Sequence, residues 1–360
     1  MCCRIWRQVE PRNYPCLITP FALIQSFIVA HVAQLSGLRA VVERCAHLLR
    51  TSNFSSLAPA LRRDSSLGVV RRMVELLQTT HRPGRGELVA IDGMALTLPS
   101  TLRHHCAKSN RNTVGGGVVW AYMVEAKRAF CPVQVLKVIR GAWHDTTIMR
   151  EVALIAHGPI YLMDRGFYCF ELLARWLDEG VHFIMRARAR SLKYTVIRKL
   201  SAPRKIGSLQ LKVDALVKLG GPTAKLHPRL RLLEATLPGG ERLILVTDRL
   251  QWSAQRLLDA YKKRWHIERF HKFLKSTIGL AHLYSFSQTG LEFLLYTALL
   301  LALLLLLSQD ADGTTLDLLR RALREERARL GLSTLWQRNA CTTPRPRRKP
   351  ARKRLKTVIQ

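Results

Sequence analysis

GPIYLMDRGFYCFELLARWLDEGVHFIMRAR, residues 158–188, reads as a strand tipped by an acid, then a helix, then a second strand. PIYLMD is an apolar run bounded by Gly158 and ending at Asp164. FELLARWLDEG carries apolar residues at three- and four-residue spacing and stops at a glycine, the mark of an amphipathic helix and its C-terminus. HFIMRAR returns to a short strand pattern. Strand, helix and strand in that order suit a mixed sheet flanked by helices. Asp164 then stands at the carboxyl end of its strand, where open sheets present groups to ligands.

The pattern continues on both sides. Upstream, ELVAID (87–92), GVVWAYMVEA (117–126) and VQVLKVIRGAW (133–143) have strand composition, and TTIMREVALIAHG (146–158) has helical spacing. Downstream, residues 191–240 (KYTVIRKL, LQLKVDALVKL, RLRLLEATL) form an irregular, strand-rich stretch broken by Pro and Gly, read as a β-rich insertion. ERLILVTD (241–248) resumes the sheet, and SAQRLLDAYKKRWHIERFHKFLKS (253–276) reads as one long helix capped by Ser253. The expected fold is α/β: a mixed sheet flanked by helices, interrupted by that insertion, within a catalytic domain spanning 86–310.

Residues 1–85 are expected to be a helical region, with helices at Phe21–Leu35, Leu38–Leu49 and Leu67–Leu77 and an interruption at TSNFSSLAP. A helix-turn-helix binding DNA ends, with Arg62, Arg63, Arg71 and Arg72 on phosphates, and a plain helical bundle both fit this pattern. Phe293–Leu307 is an uncharged run of 15 residues. It falls short of the roughly 20 needed to span a bilayer, so a buried core helix is expected and no membrane partner. A helical segment (311–340) follows, then a basic tail (341–360) with eight Lys or Arg between Arg345 and Lys356 and no acid, expected to be disordered and to hold phosphate without specificity.

Lys and Arg outnumber Asp and Glu by 58 to 25, a net charge of +33, so the natural partner is a polyanion, nucleic acid above all. Eight scattered cysteines contain no C-x-x-C pair, which excludes a thiolate zinc site of that kind and suits reduced thiols in a cytosolic protein. The N-terminus lacks the charged and apolar regions of a secretory signal, so a cytoplasmic location is expected.

Three acids carry the chemistry. Asp92 ends ELVAID, Asp164 ends PIYLMD, and Glu268 lies in the long helix. Hard divalent cations such as Mg2+ take oxygen ligands, and two ions about 4 Å apart serve in-line displacement at phosphorus. Around Glu268, Tyr261, Arg264 and Lys275 fall at about 0°, 300° and 320°, with Glu268 itself at about 340°, on a helix turning roughly 100° per residue. Such a stripe is costly to bury against apolar groups but suits a phosphodiester. Taken alone, Asp92 reads equally as a turn residue and Asp164 as a helix cap. Asp145 reads as a cap, His104 and His105 as loop residues, and Gly115–Gly117 as a turn. Trp265 and Phe270 are expected to pack the helix onto the sheet, and His266 and His271 are poor Mg2+ ligands.

DGMALTLP (92–99), YLMDRGFY (161–168) and YKKRWHIERFHKFLK (261–275) resemble the three catalytic segments of bacterial insertion-sequence DDE transposases, in the subgroup marked by Y-x2-R-x3-E-x6-K. The resemblance spans about residues 85–300, with Asp92 and Asp164 72 residues apart and Asp164 and Glu268 104 apart. It implies an RNase H-like core, catalysis by Asp92, Asp164 and Glu268 holding two Mg2+ (Mn2+ substituting), and DNA-phosphate contacts from Tyr261, Arg264 and Lys275. It also implies cleavage at terminal inverted repeats, strand transfer by a 3′ hydroxyl to target DNA, and a homodimer on double-stranded DNA at the bacterial nucleoid. Met94 departs from the small hydroxyl residue the family resemblance leads one to expect after Asp-Gly, and the N-terminal region matches no recognisable reader. A catalytically silent DNA-binding remnant, or a nuclease on the same core, are the other readings.

Overall fold

Leu88–Ile91 and Ile160–Met163 are buried without alternation, the signature of strands covered on both faces. They belong to β1 (Leu88–Thr97) and β4 (Ile160–Met163) of a sheet with eleven strands among the described residues of a computed structural model. The structure describes residues 18–35, 37–79, 83–97, 115–125, 131–139, 158–189, 192–200, 204–221, 224–225, 229–280, 285, 287–308, 321, 323–325 and 328. The helix expected at 146–157, Asp145, His104, His105, most of the 311–340 segment and the 341–360 tail lie outside the described residues.

β2 (Gly115–Glu125), β3 (Cys131–Ile139), β5 (His182–Arg186) and β11 (Arg242–Thr247) complete the core in the order β3-β2-β1-β4-β5-β11. β1–β4 and β4–β5 are parallel, and β1–β2, β2–β3 and β5–β11 antiparallel. The crossover from β4 to β5 is α5 (Phe170–Asp178), which buries Leu172, Leu173 and Trp176. The expected strand–helix–strand unit is therefore present. Gly115–Gly117, expected as a turn, opens β2 and pairs with Ala95–Thr97. Long-range pairing overrides the local turn preference there.

β6 (Tyr194–Lys199), β7 (Lys205–Ile206), β8 (Leu209–Gly221), β9 (Ala224–Lys225) and β10 (Leu230–Thr236) occupy the insertion. They do not stand apart: β10 pairs with β11, β8 with β10 and β6 with β8, so the insertion extends the core sheet. A buried fork fixes this extension. Arg231 donates to both Asp214 oxygens (2.8 and 2.7 Å) and also to the carbonyl of Trp252 ahead of α6 (Ala254–Lys262). Removing one partner of such a pair leaves a buried charge uncompensated, at a cost of about 3–5 kcal/mol. Asp214→Ala is expected to lower the urea unfolding free energy by about that amount, whereas a loss under about 1 kcal/mol would show the fork to be energetically idle.

The N-terminal region forms α1 (Pro20–Ala33), α2 (Leu38–Leu49), α3 (Phe54–Leu61) and α4 (Asp64–Thr79). α3 occupies the expected interruption: Asn53 accepts the Ser55 N–H and starts a short helix there. These helices pack on α8 (Gln288–Ser308), Phe27 meeting Phe293 edge to face at 5.7 Å and Arg71 pairing with Glu292. Arg63 donates to the Ile18 carbonyl, so Arg63 and Arg71 are engaged within the fold. α8 has 21 residues, longer than its 15-residue apolar core, and is long and apolar enough to cross a membrane. Burial of 67% of Gln288–Leu305 inside the fold, not length, marks it as a core helix.

α1 also grips the far end of the helix that carries Glu268. His31 Nδ1 lies 3.2 Å from the Ile278 carbonyl, which can only accept, so Nδ1 carries the proton; Nε2 faces the Thr297 hydroxyl at 3.1 Å. Gln34 donates to the carbonyls of Ser276 and Thr277. Burial lowers the His31 pKa from 6.5 to about 4. The unfolded chain takes up this proton near pH 6.5 and the folded chain only near 4, so the stabilisation is complete above 6.5 and lost as pH falls toward 4. Between pH 7.5 and 4.5 the wild type is expected to lose about 2–3 kcal/mol more than His31→Asn in urea titrations. Equal losses would contradict a buried neutral imidazole.

Candidate active site

Strand register builds the site. β1 pairs with β4 through Ile91 and Met163, and β4 with β5 through Met163 and Met185. One residue further on, Asp92, Asp164 and Arg186 stand side by side on three neighbouring strands spaced about 4.8 Å apart. Asp92 does not end its strand, as its sequence context suggested: β1 runs on to Thr97, paired with β2. What ends at Asp92 is the ladder with β4, which opens the crevice.

Asp164 is not spent on a local cap, and only one oxygen of Asp92 is held by its neighbour in sequence. Asp164 occupies the cap position of a 3-10 turn (Arg165–Phe167), yet its side chain makes no capping hydrogen bond. Its Oδ1 instead accepts the Tyr261 hydroxyl at 3.4 Å. Asp92 Oδ1 accepts the Gly93 N–H at 2.9 Å, and its Oδ2 faces Arg264 (3.8 Å) and His271 Nδ1 (3.9 Å).

The helix expected at 253–276 is broken into α6, α7 (Trp265–Phe273) and a π-helical turn (Leu274–Ile278). Across the break the N–H groups of Lys263, Arg264, His266 and Ile267 reach back three residues rather than four. Three-residue turns bring positions i and i+3 into line, so Arg264 sits above Tyr261, its guanidinium carbon 5.9 Å from the ring centroid. The same guanidinium donates to Glu268 Oε1 at 2.5 Å.

Arg264 is thus the meeting point of the acids. Burial favours loss of its proton, but the Glu268 hydrogen bond and the charges of Asp92 and Asp164 oppose burial, and its pKa is raised. Burial raises the Tyr261 pKa in turn, so the phenol keeps its proton and acts as a donor. His271 is pushed down to about 3 by burial, with Lys275 and Arg264 adding repulsion, and stays neutral; its Nε2 is buried with no hydrogen-bond partner among the described residues. Lys275 lies in the π turn, half-buried and close enough to His271 to act on it electrostatically.

Among the described residues no three His, Cys, Asp or Glu side chains are close enough together to hold one ion as placed. The donor set nevertheless fits a hard cation: all-oxygen carboxylates gathered round a guanidinium. Trp265, expected to pack on the sheet, is 60% exposed, while Phe270 is fully buried as expected. The helix break turns Trp265 outward. Sequence reasoning passed over Arg165, Arg186 and Arg188, which line a cleft beside Asp164; two arginines flanking an alanine at a strand end were the available signal.

Acids on or just beyond neighbouring strands are thus faced by a helix that bears an acid and cations. Residues 83–305 match the Transposase DDE domain model, and the chain belongs to that family, a DNA transposase of polynucleotidyl-transferase type. It is 25% identical over 250 residues to the putative transposase y4zB of Sinorhizobium fredii, covering 68% of this chain and 67% of that protein. It is 24% identical over 207 residues to transposase InsG for insertion sequence element IS4 of Escherichia coli, covering 54% of this chain and 46% of that protein. The piggyBac transposase synaptic complex with hairpin DNA is similar at TM-score 0.47 and 12% identity, over 96% of this chain and 78% of that one. Likeness at that level carries no functional weight.

Proposed function

We propose that the chain cuts DNA at transposon ends and joins the freed 3′ hydroxyl to target DNA, with Asp92, Asp164 and Glu268 as catalytic and metal-holding residues. On this reading the core is RNase H-like, the chain falls in the Y-x2-R-x3-E-x6-K subgroup, and the working assembly is a homodimer on paired ends. The supporting observation is that one guanidinium, Arg264, touches Asp92 and Glu268 and feels the charge of Asp164. Acids drawn from three distant segments repel one another, and a cation among them makes their gathering favourable; Arg264 supplies that charge here, and a divalent ion would supply more of it.

Two Mg2+ ions, when bound, supply activation of the attacking oxygen and stabilisation of the leaving one. The protein does the rest. Adjacent strands hold Asp92 and Asp164 in fixed relation, and the helix brings Glu268 from the side. Arg264 forks onto phosphate oxygens once it leaves the acids, Tyr261 donates its hydroxyl, and Lys275 adds a point charge.

Paired assays test the reading: Mg2+-dependent cleavage of intact ends and strand transfer from pre-cut ends. A transposase performs both. Hydrolysis without joining would indicate a nuclease, and salt-sensitive binding without either reaction a silent remnant.

A further inference from the structure

Beside Asp164 opens a cleft of about 830 Å³ whose charged lining is Asp164, Arg165, Arg186, Arg188, Glu241 and Arg242. Four guanidiniums face two carboxylates, and one of those carboxylates belongs to the acid cluster. The cleft follows from the sheet. Beyond Met185, Arg186 and Arg188 alternate with Ala187, whose N–H still bonds the Ile244 carbonyl at 2.8 Å, so the period of two puts both arginines on one face. Arg186 is held by Glu241 at 2.5 Å, and Arg242 by Glu234 at 2.8 Å. Arg188 is aimed differently: its Nε–H donates to the Arg165 carbonyl at 2.9 Å, which fastens its guanidinium beside the turn that follows Asp164. Arg165 is exposed on that turn.

The edge of the sheet therefore changes sign from strand to strand: acids on β1 and β4, arginines on β5 and at the start of β11. Two strand spacings of about 4.8 Å carry the cleft roughly 10 Å from Asp164. That is the axial length of about three nucleotides at about 3.4 Å each. Planar guanidinium forks match phosphate oxygens in pairs.

We propose that this cleft is a phosphate track for the two or three nucleotides next to the reacting phosphodiester, gripped by Arg165 and Arg188. The inference rests on the transposase reading and adds to it the side of the acid cluster on which the strand leaves. The strand could be transposon-end or target DNA; both present the same phosphates.

The test uses the full-length protein with Arg165→Ala, Arg188→Gln, which keeps an N–H for the Arg165 carbonyl, and the double variant. Thermal unfolding checks the fold, and Arg165→Ala, altering an exposed side chain, guards against misfolding of the other two. The slope of log binding constant against log salt on duplex end DNA is expected to become shallower by about 1 per arginine and about 2 for the pair. That change assigns the track to end DNA. An unchanged slope, with strand transfer lost at limiting target and restored by excess target, assigns it to target DNA. Wild-type slope together with wild-type strand transfer at limiting target would overturn the track while leaving the transposase reading intact. A shallower slope in the variants of a protein that neither cuts nor joins would do the opposite.

Discussion

Asp164→Asn is expected to abolish Mg2+-dependent cleavage of transposon-end DNA, by about 10³-fold or more, while binding to the same DNA persists. Metal-ion charge stabilisation is worth several kcal/mol, and each 1.36 kcal/mol is tenfold in rate. The amide keeps the shape of the side chain and an oxygen to accept the Tyr261 hydroxyl, so the fold has no reason to change. Removing a negative charge next to a polyanion should, if anything, tighten binding. Asp92→Asn and Glu268→Gln are expected to match it, since each supplies one wall of the same site. Gel-shift and nicking assays on one labelled end substrate read both effects. Full cleavage by two of the three variants would show that these acids are not the catalytic set.

Arg264→Ala is expected to act twice. Without divalent ions the guanidinium is the cation that lets Asp92, Asp164 and Glu268 lie together, so its loss should lower stability in chelator. Removing one partner of a buried charged group costs about 3–5 kcal/mol. Asp92 and Glu268 keep 22% and 30% of their side-chain exposure, so solvent screening reduces this to about 1–3 kcal/mol. Adding Mg2+ should restore most of it, because the ion then neutralises the same acids. Cleavage in Mg2+ should still fall about 10²–10³-fold, the usual effect of deleting one donor to developing charge. Unfolding curves in chelator and in Mg2+ make the comparison, and an identical loss in both would show that Arg264 and the ion do not share the acids.

Much of this architecture was legible in the sequence because it is written at short range. The apolar runs before Asp92 and Asp164 and the helical stripe around Glu268 need only a period and a boundary residue to be recognised. What escaped was set by partners far away in the chain. Gly115–Gly117 looks like a turn until Ala95–Thr97 pair with it. Residues 191–240 read only as a β-rich insertion, and their place in the core sheet is set by the hydrogen bonds of β10 to β11. Trp265 looks like a packing residue under uniform helical geometry, and only the three-residue hydrogen bonds at Lys263 and Arg264 turn it to solvent. That irregularity also sharpened the candidate site, since it sets Arg264 over Tyr261 and within reach of both Glu268 and Asp92. The N-terminal helices, readable as a DNA reader or as a plain bundle, are tied by His31 and Gln34 to the turn that carries Lys275.

Anomalous diffraction from crystals of the protein bound to end DNA in Mn2+ is the most direct test. Manganese peaks should fall between the carboxylates of Asp92, Asp164 and Glu268, within bonding distance of their oxygens, with the Arg264 guanidinium displaced onto a phosphate. Manganese bound elsewhere, with Arg264 still seated among the three acids in a cleavage-competent crystal, would contradict the assignment.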